Sequence, residues 1–120
     1  MTSTEIAAVY YDAWKNKAGD FSEVPLAADL KFTGPVASFG DAAGYRQMAA
    51  QAGPAVTSFT VREQFVTGNQ VCSIIDWEMS FVPGVLTAAE LLEIDNGQIV
   101  RGELIYDAEE LRKAMAQATS

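Results

Sequence analysis

The sequence predicts an α+β domain in which helices lie over one face of an antiparallel sheet. Three observations carry that expectation. The 120 residues amount to one domain, enough to bury about two-thirds of the unfolded surface around a single core. From Val56 onward the apolar pattern has a period of two, in four runs divided by turn-forming pairs, whereas the opening segment has helical spacing. Sequential strands joined by tight turns form one antiparallel sheet, and the front helices need that sheet to cover their apolar faces.

The first helix is marked by Thr2 and Glu5 at capping-box spacing and by Ile6, Val9, Tyr10, Ala13 and Trp14 on one face. It fades near Lys17, before the turn Ala18-Gly19-Asp20. A helical turn is expected from Phe21 to Val24, then a short strand, Leu30 to Thr33, ending at Gly34-Pro35. Asp41 caps a second long helix with Tyr45, Met48, Ala49 and Ala52 on one face and Gly53-Pro54 as a left-handed stop. Strands follow over Val56 to Val66, Val71 to Val82, Val85 to Asp95 and Gln98 to Tyr106, separated by Gly68-Asn69, Pro83-Gly84 and Asn96-Gly97. Asp107 and Glu110 then open a short closing helix. Strands of about ten residues exceed the usual five or six and curl as they twist, so helices across the concave face enclose a cavity fit for a small molecule.

Composition narrows the chemistry. Apolar residues make up 49% and charged residues 20%, a globular balance, and the net charge of −8 disfavours nucleic acid and anionic membrane surfaces as partners. The absence of histidine excludes imidazole catalysis and His-ligated metals, and the single Cys72 can form neither an internal disulfide nor a Cys-rich zinc site. No nucleotide-binding glycine motif, GxSxG elbow or calcium loop is present, so neither cofactor nor metal is expected. No window has the length of a membrane span and the opening residues lack an export signal, which predicts a soluble cytoplasmic protein. Carboxylate, phenol and hydroxyl remain as the reactive groups.

Two acids stand out in apolar runs. Glu90 shares a strand face with Leu92 and Ile94, so it points inward unless a bulge turns it to solvent; inside, desolvation would raise its pKa into the useful range for a general acid. Asp76 falls opposite the face of Val71, Ser73, Ile75 and Trp77, which places it outside unless a bulge at Ile74-Ile75 reverses the register. Trp77 is then either cavity wall or core. Glu93 and Glu103 belong to the outer face, paired with Arg101 or Arg62. Trp14, Phe32, Met48, Trp77 and Tyr106 are the candidate walls for a small apolar ligand.

The segments Tyr10-Tyr11-Asp12-Ala13-Trp14, Gly19-Asp20-Phe21, Ala28 to Val36, Asn96-Gly97-Gln98-Ile99 and Ile105-Tyr106-Asp107 together resemble the nuclear transport factor 2-like (NTF2-like) superfamily, and within it bacterial SnoaL-like domains. The resemblance implies a cone-shaped, cystatin-like curved sheet around a deep pocket and a homodimer formed through the sheet. It covers ketosteroid isomerases, limonene epoxide hydrolases and polyketide cyclases. Tyr10 falls where the isomerases carry an oxyanion-binding tyrosine, and Glu90 falls near their second acid; Tyr10 otherwise simply packs. The isomerases' base falls on Gly34 and the acid of the hydrolases and cyclases falls on Leu104, so neither reaction keeps its known acid. An acid–base enzyme using Tyr10, Glu90 or Asp76, a non-catalytic binder and a dimeric interaction domain are the functions left.

Overall fold

The computed structural model describes residues 1–119. Helix α1, Ser3–Asn16, begins with the expected reciprocal cap: the Glu5 amide donates to Thr2 Oγ1 at 3.1 Å and the Thr2 amide to Glu5 Oε1 at 2.9 Å. Its buried face is broader than the sequence stripe, taking in Ala7 and Tyr11 beside Ile6, Tyr10 and Ala13, while Trp14 is only partly covered. A helix lying over a concave sheet is covered on its flanks as well as underneath.

The short turn expected at Phe21–Val24 is present as a single hydrogen-bonded turn, the Val24 amide donating to Phe21 O at 3.0 Å, and it does not continue into a helix. Asp20 Oδ1 accepts from the Ser22 amide at 3.0 Å, and Val24, which precedes Pro25, is disfavoured in the helical region. The Arg46 guanidinium adds a second bond to two carbonyls of this segment, donating to Phe21 O and, at 3.0 Å, to Val24 O, which already accept from the Val24 and Leu26 amides. Strand β1, Leu26–Thr33, starts four residues before the expected one; the sequence pattern missed Ala27-Ala28-Asp29 because these residues carry little strand propensity of their own. A two-residue strand β2, Ser38–Phe39, lies in what the sequence suggested was loop.

Helix α2, Ala42–Ala52, is capped by Asp41, whose Oδ1 accepts from the Gly44 amide at 2.8 Å. Gly53 does not form a left-handed stop. Its φ of −54° continues the helix into a tight turn, Gly53–Ala55, and glycine is required there because a Cβ would overlap the Ala18 carbonyl. Gly19 meets the Ala49 carbonyl in the same way, so the end of α1 and the end of α2 pack backbone against backbone.

Strands β3 (Val56–Thr67), β4 (Gln70–Met79), β5 (Leu86–Asp95) and β6 (Gln98–Ile105) form the expected antiparallel meander, with Asn96 and Gly97 at φ 52° and 73° in the last hairpin. The sheet order is β2-β1-β6-β5-β4-β3, and β1 runs parallel to β6. The sheet is therefore mixed rather than wholly antiparallel. Bulges interrupt β3 between Val56 and Ser58 and between Val61 and Glu63, and the β5–β6 pairing at Glu93 and Ile94, bending these long strands. Helix α1 packs on β3 and β4, and α2 on β1 and β2, so both lie over one face. Helix α3, Glu109–Thr119, starts after Asp107, whose Oδ1 accepts from the Glu109 amide rather than forming a capping box with Glu110. Among the described residues no helix is long and apolar enough to cross a membrane.

Candidate functional site

Between the helices and the bent sheet lies a cavity of about 300 Å³, at the small end of ligand-binding pockets. Trp14 reaches it from α1, Tyr45 and Met48 from α2, Phe32 from β1, Trp77 from β4, and Tyr106 from the segment after β6. All five wall residues expected from the sequence thus lie along it. Trp77 is both wall and core, buried to 8% exposure and edge-on to Tyr106 with ring centroids 5.2 Å apart. Gly34 and Leu104, where the family resemblance places acids, also line the cavity and leave hydrocarbon there. At the rim Val36, Phe81 and Met115 are 38–44% exposed. Arg112 on α3 clasps the rim loop by donating to Pro35 O at 2.6 Å.

Glu90 is the one charged residue among the described lining residues, and it is 3% exposed. Strict alternation puts it there: along β5, Leu86, Ala88, Glu90, Leu92 and Ile94 are buried and their neighbours are not. Its cross-strand partners are Ser73 on β4 and Leu104 on β6. Burial pushes its carboxyl up to about 7, against a smaller downward pull from Tyr10 and then Tyr11. The Tyr10 hydroxyl donates to Glu90 Oε2 at 3.0 Å and meets the Tyr45 hydroxyl at 2.5 Å. A phenol has one proton. Since Tyr10 gives its own to Glu90, Tyr45 is the donor in the second bond while Glu90 is ionised.

Tyr10 is therefore placed one layer deeper than its candidate role requires. Both tyrosines are 1% exposed, but Tyr10 is absent from the described cavity wall whereas Tyr45 belongs to it. Burial, followed by the charge of Glu90, raises the pKa of Tyr10, Tyr11 and Tyr45, so all three remain neutral phenols at ordinary pH. Glu90 Oε1 and the Tyr11 hydroxyl have no hydrogen-bond partner of good geometry, although Tyr11 lies close enough to Glu90 and Ser73 to influence the carboxyl. Ser73, fully buried, accepts from Gln64 Nε2 at 3.1 Å.

Asp76 does not join this site. No bulge occurs at Ile74-Ile75 in β4; the irregularity is in β3 opposite, so alternation carries Asp76 to the outer face. There Arg62 grips it with Nε to Oδ2 at 3.0 Å and Nη2 to Oδ1 at 2.9 Å, and Thr87 Oγ1 donates at 2.6 Å. These bonds, Arg62 first, hold its carboxyl below the usual range. Glu93 pairs with Arg101 at 3.0 Å on the same outer face. Among the described residues no group of acidic or sulfur side chains is arranged to hold a metal.

Tyr45 is the site residue that sequence reasoning missed. Its place on the inner face of α2 was legible, but no spacing linked it to Tyr10, 35 residues away.

No protein-family model matches the chain, and no curated protein matches it. Solved structures do. An NTF2-like protein of unknown function from Cytophaga hutchinsonii superposes with a TM-score of 0.81 at 20% identity, over 93% of this chain and 96% of that one. A hypothetical protein with a ketosteroid isomerase-like fold from Catenulispora acidiphila, in complex with trimethylamine, gives 0.75 at 15% identity over 97% and 95%. An LEH-like epoxide hydrolase from M. tuberculosis gives 0.72 at 13% identity over 96% and 90%. At these identities the likeness establishes the fold.

Proposed function

We propose that this chain, whose fold is NTF2-like, binds a small, largely apolar molecule in its central cavity and uses Glu90 as a cofactor-independent acid–base group of the isomerase, cyclase or hydrolase type. The observation that carries this reading is a buried carboxyl with a pKa of about 7 in an apolar cavity, tied to a tyrosine pair. Near neutral pH both forms of such a group are populated, so one residue can give and take a proton. Oε2 already accepts from Tyr10, which leaves Oε1 to carry the proton in the neutral form and to accept one in the ionised form. The Catenulispora protein, of similar fold and in complex with trimethylamine, supports a small-molecule role.

A thermal-shift panel of small terpenoids, aromatic ketones and amines tests the reading. At least one ligand is expected to raise the melting temperature, and Leu104→Trp, which fills the cavity, is expected to abolish that rise while the variant stays folded. No stabilisation by any member of the panel contradicts the proposal.

A non-catalytic binding protein is the second reading. It is favoured by Gly34 and Leu104, which offer no proton-transfer group on the walls nearest the resemblance's catalytic positions. Turnover of a bound ligand that Glu90→Gln abolishes separates the two. On either reading we propose a homodimer through the outer sheet face, where Phe65, Cys72 and Leu91 form one cross-strand row and Ile74, Ala89 and Ile105 the next. Phe65 and Ile105 are 59% and 61% exposed, more than a lone apolar side chain requires. Sedimentation is expected to show a dimer that Ile105→Lys converts to monomer; a native chain that is monomeric at high concentration rules the dimer out.

A further inference from the structure

We infer that Tyr11 is a positioning residue for Glu90, its hydroxyl acting as the partner of carboxyl Oε1 in both protonation states. The inference rests on the proposed acid–base role of Glu90 and deepens it by naming the group that steadies the oxygen through which the proton comes and goes.

Among the described residues, Glu90 Oε1 and the Tyr11 hydroxyl are both buried and both without a hydrogen bond. A buried polar atom left unpaired is costly, and native interiors rarely keep two side by side. These two are neighbours. Tyr11, 4% exposed, descends from α1, which packs on β3 and β4; its ring is edge-on to Tyr10 at a centroid distance of 5.1 Å and tilted against Phe59 at 5.9 Å. Its hydroxyl thereby comes beside Glu90 and Ser73, which face each other across the β4–β5 ladder. The last torsion of a glutamate side chain is soft and a phenol proton can turn, so a small rotation closes the pair without moving the backbone.

The two groups are complementary in either charge state. A phenol both donates and accepts, whereas a carboxyl oxygen accepts when ionised and donates when it carries the proton. With Glu90 ionised, Tyr10 donates to Oε2 and Tyr11 to Oε1, so each oxygen has its own phenol. With Glu90 neutral, Oε1 donates to the Tyr11 oxygen and Tyr11 turns its proton toward Ser73 Oγ, which keeps a lone pair beyond the one taken by Gln64 Nε2. Apart from the one proton that Glu90 gains, only hydrogen positions change. Burial pushes the Glu90 carboxyl up, and Tyr10 and then Tyr11 pull against it by favouring the ionised form. Tyr11 is absent from the described cavity wall, so it acts through Glu90 and not on a ligand.

The other titratable groups facing Glu90 are Tyr10 from α1 and Tyr45 from α2. Ser73 from β4 and Leu104 from β6 carry no charge, Tyr106 lies along the wall, and Arg112 stands at the rim. Burial raises all four phenols above their ordinary value, so of these groups it is Glu90 that changes charge near neutrality.

Carbon-13 NMR of the full chain without ligand tests the assignment. Tyr11→Phe keeps the ring and removes the hydroxyl, and it is expected to raise the Glu90 midpoint from about 7 by about one pH unit. Tyr10→Phe and Tyr11→Phe combined are expected to raise it further than either alone, since each removes a donor to a different oxygen. In the native chain the Tyr11 ζ-carbon resonance is expected to shift with the same midpoint as the carboxyl, which carries the test even if the variant folds poorly. A midpoint unchanged or lowered in folded Tyr11→Phe, or a Tyr11 resonance that does not follow the carboxyl, overturns the inference and makes Tyr11 a packing residue, with the acid–base reading of Glu90 intact. A native midpoint at or below 4.5 overturns that reading and the inference with it.

Discussion

Raising the pH from about 5.5 to about 8 is expected to destabilise the protein by about 2 kcal/mol through Glu90 alone. Its folded pKa of about 7 lies above the unfolded value of 4.5. A carboxyl raised in this way contributes its full stabilisation below pH 4.5 and loses it as the pH climbs through 7, about 3 kcal/mol over the whole window. The sequence has no histidine, so no imidazole titrates across the same interval. The paired acids act elsewhere: Asp76 is depressed by Arg62 and Thr87, and its contribution is lost only as the pH falls below the ordinary carboxylate range. In thermal melts the native chain should lose about 6–10 °C between the two pH values. Glu90→Gln, which keeps an acceptor for Tyr10 but cannot ionise, should flatten that dependence. A native chain whose melting temperature does not fall over this range contradicts the burial of an ionisable Glu90.

Tyr10→Phe is expected to cost about 2–3 kcal/mol at about pH 8 and less at about pH 5.5. The substitution keeps the ring and its edge contacts with Tyr11 and Phe21, at centroid distances of 5.1 and 5.2 Å, so packing is conserved. Lost are the donor to Glu90 Oε2 and the acceptor that takes the Tyr45 proton. Because Tyr10 lowers the Glu90 carboxyl from the value burial alone would give, its removal raises that pKa further. The variant therefore differs from a packing defect, which would reduce stability equally at both pH values. Chemical denaturation at the two pH values measures the difference; an equal loss at each would make Tyr10 a core residue only.

Much of this architecture could be read locally. The capping box of α1, the four long strands and their glycine turns depend on spacing within a few residues, and those features stand close to where the sequence puts them, except that β4 ends at Met79, three residues before the expected Val82. Alternation also separated Glu90 from Asp76, because a strand's two faces are fixed by parity unless a bulge intervenes. What local pattern could not supply was adjacency. The parallel pairing of β1 with β6 joins segments far apart in the chain, and it holds β1 at Leu26 and again from Lys31 to Thr33, on either side of the irregular Ala27-Ala28-Asp29. Depth was equally hidden. A helical face shows that Tyr10 and Tyr45 point inward, but which of them reaches the cavity depends on how α1 and α2 seat on the bent sheet.

The most direct measurement is the titration of the Glu90 side-chain carboxyl by carbon-13 NMR in the ligand-free protein, with Glu90→Gln used to assign the resonance. A midpoint near 7, moving upward in Tyr10→Phe, is the expected result. A midpoint at or below 4.5 would mean that the carboxyl is solvated or paired, and that the cavity holds no acid–base group.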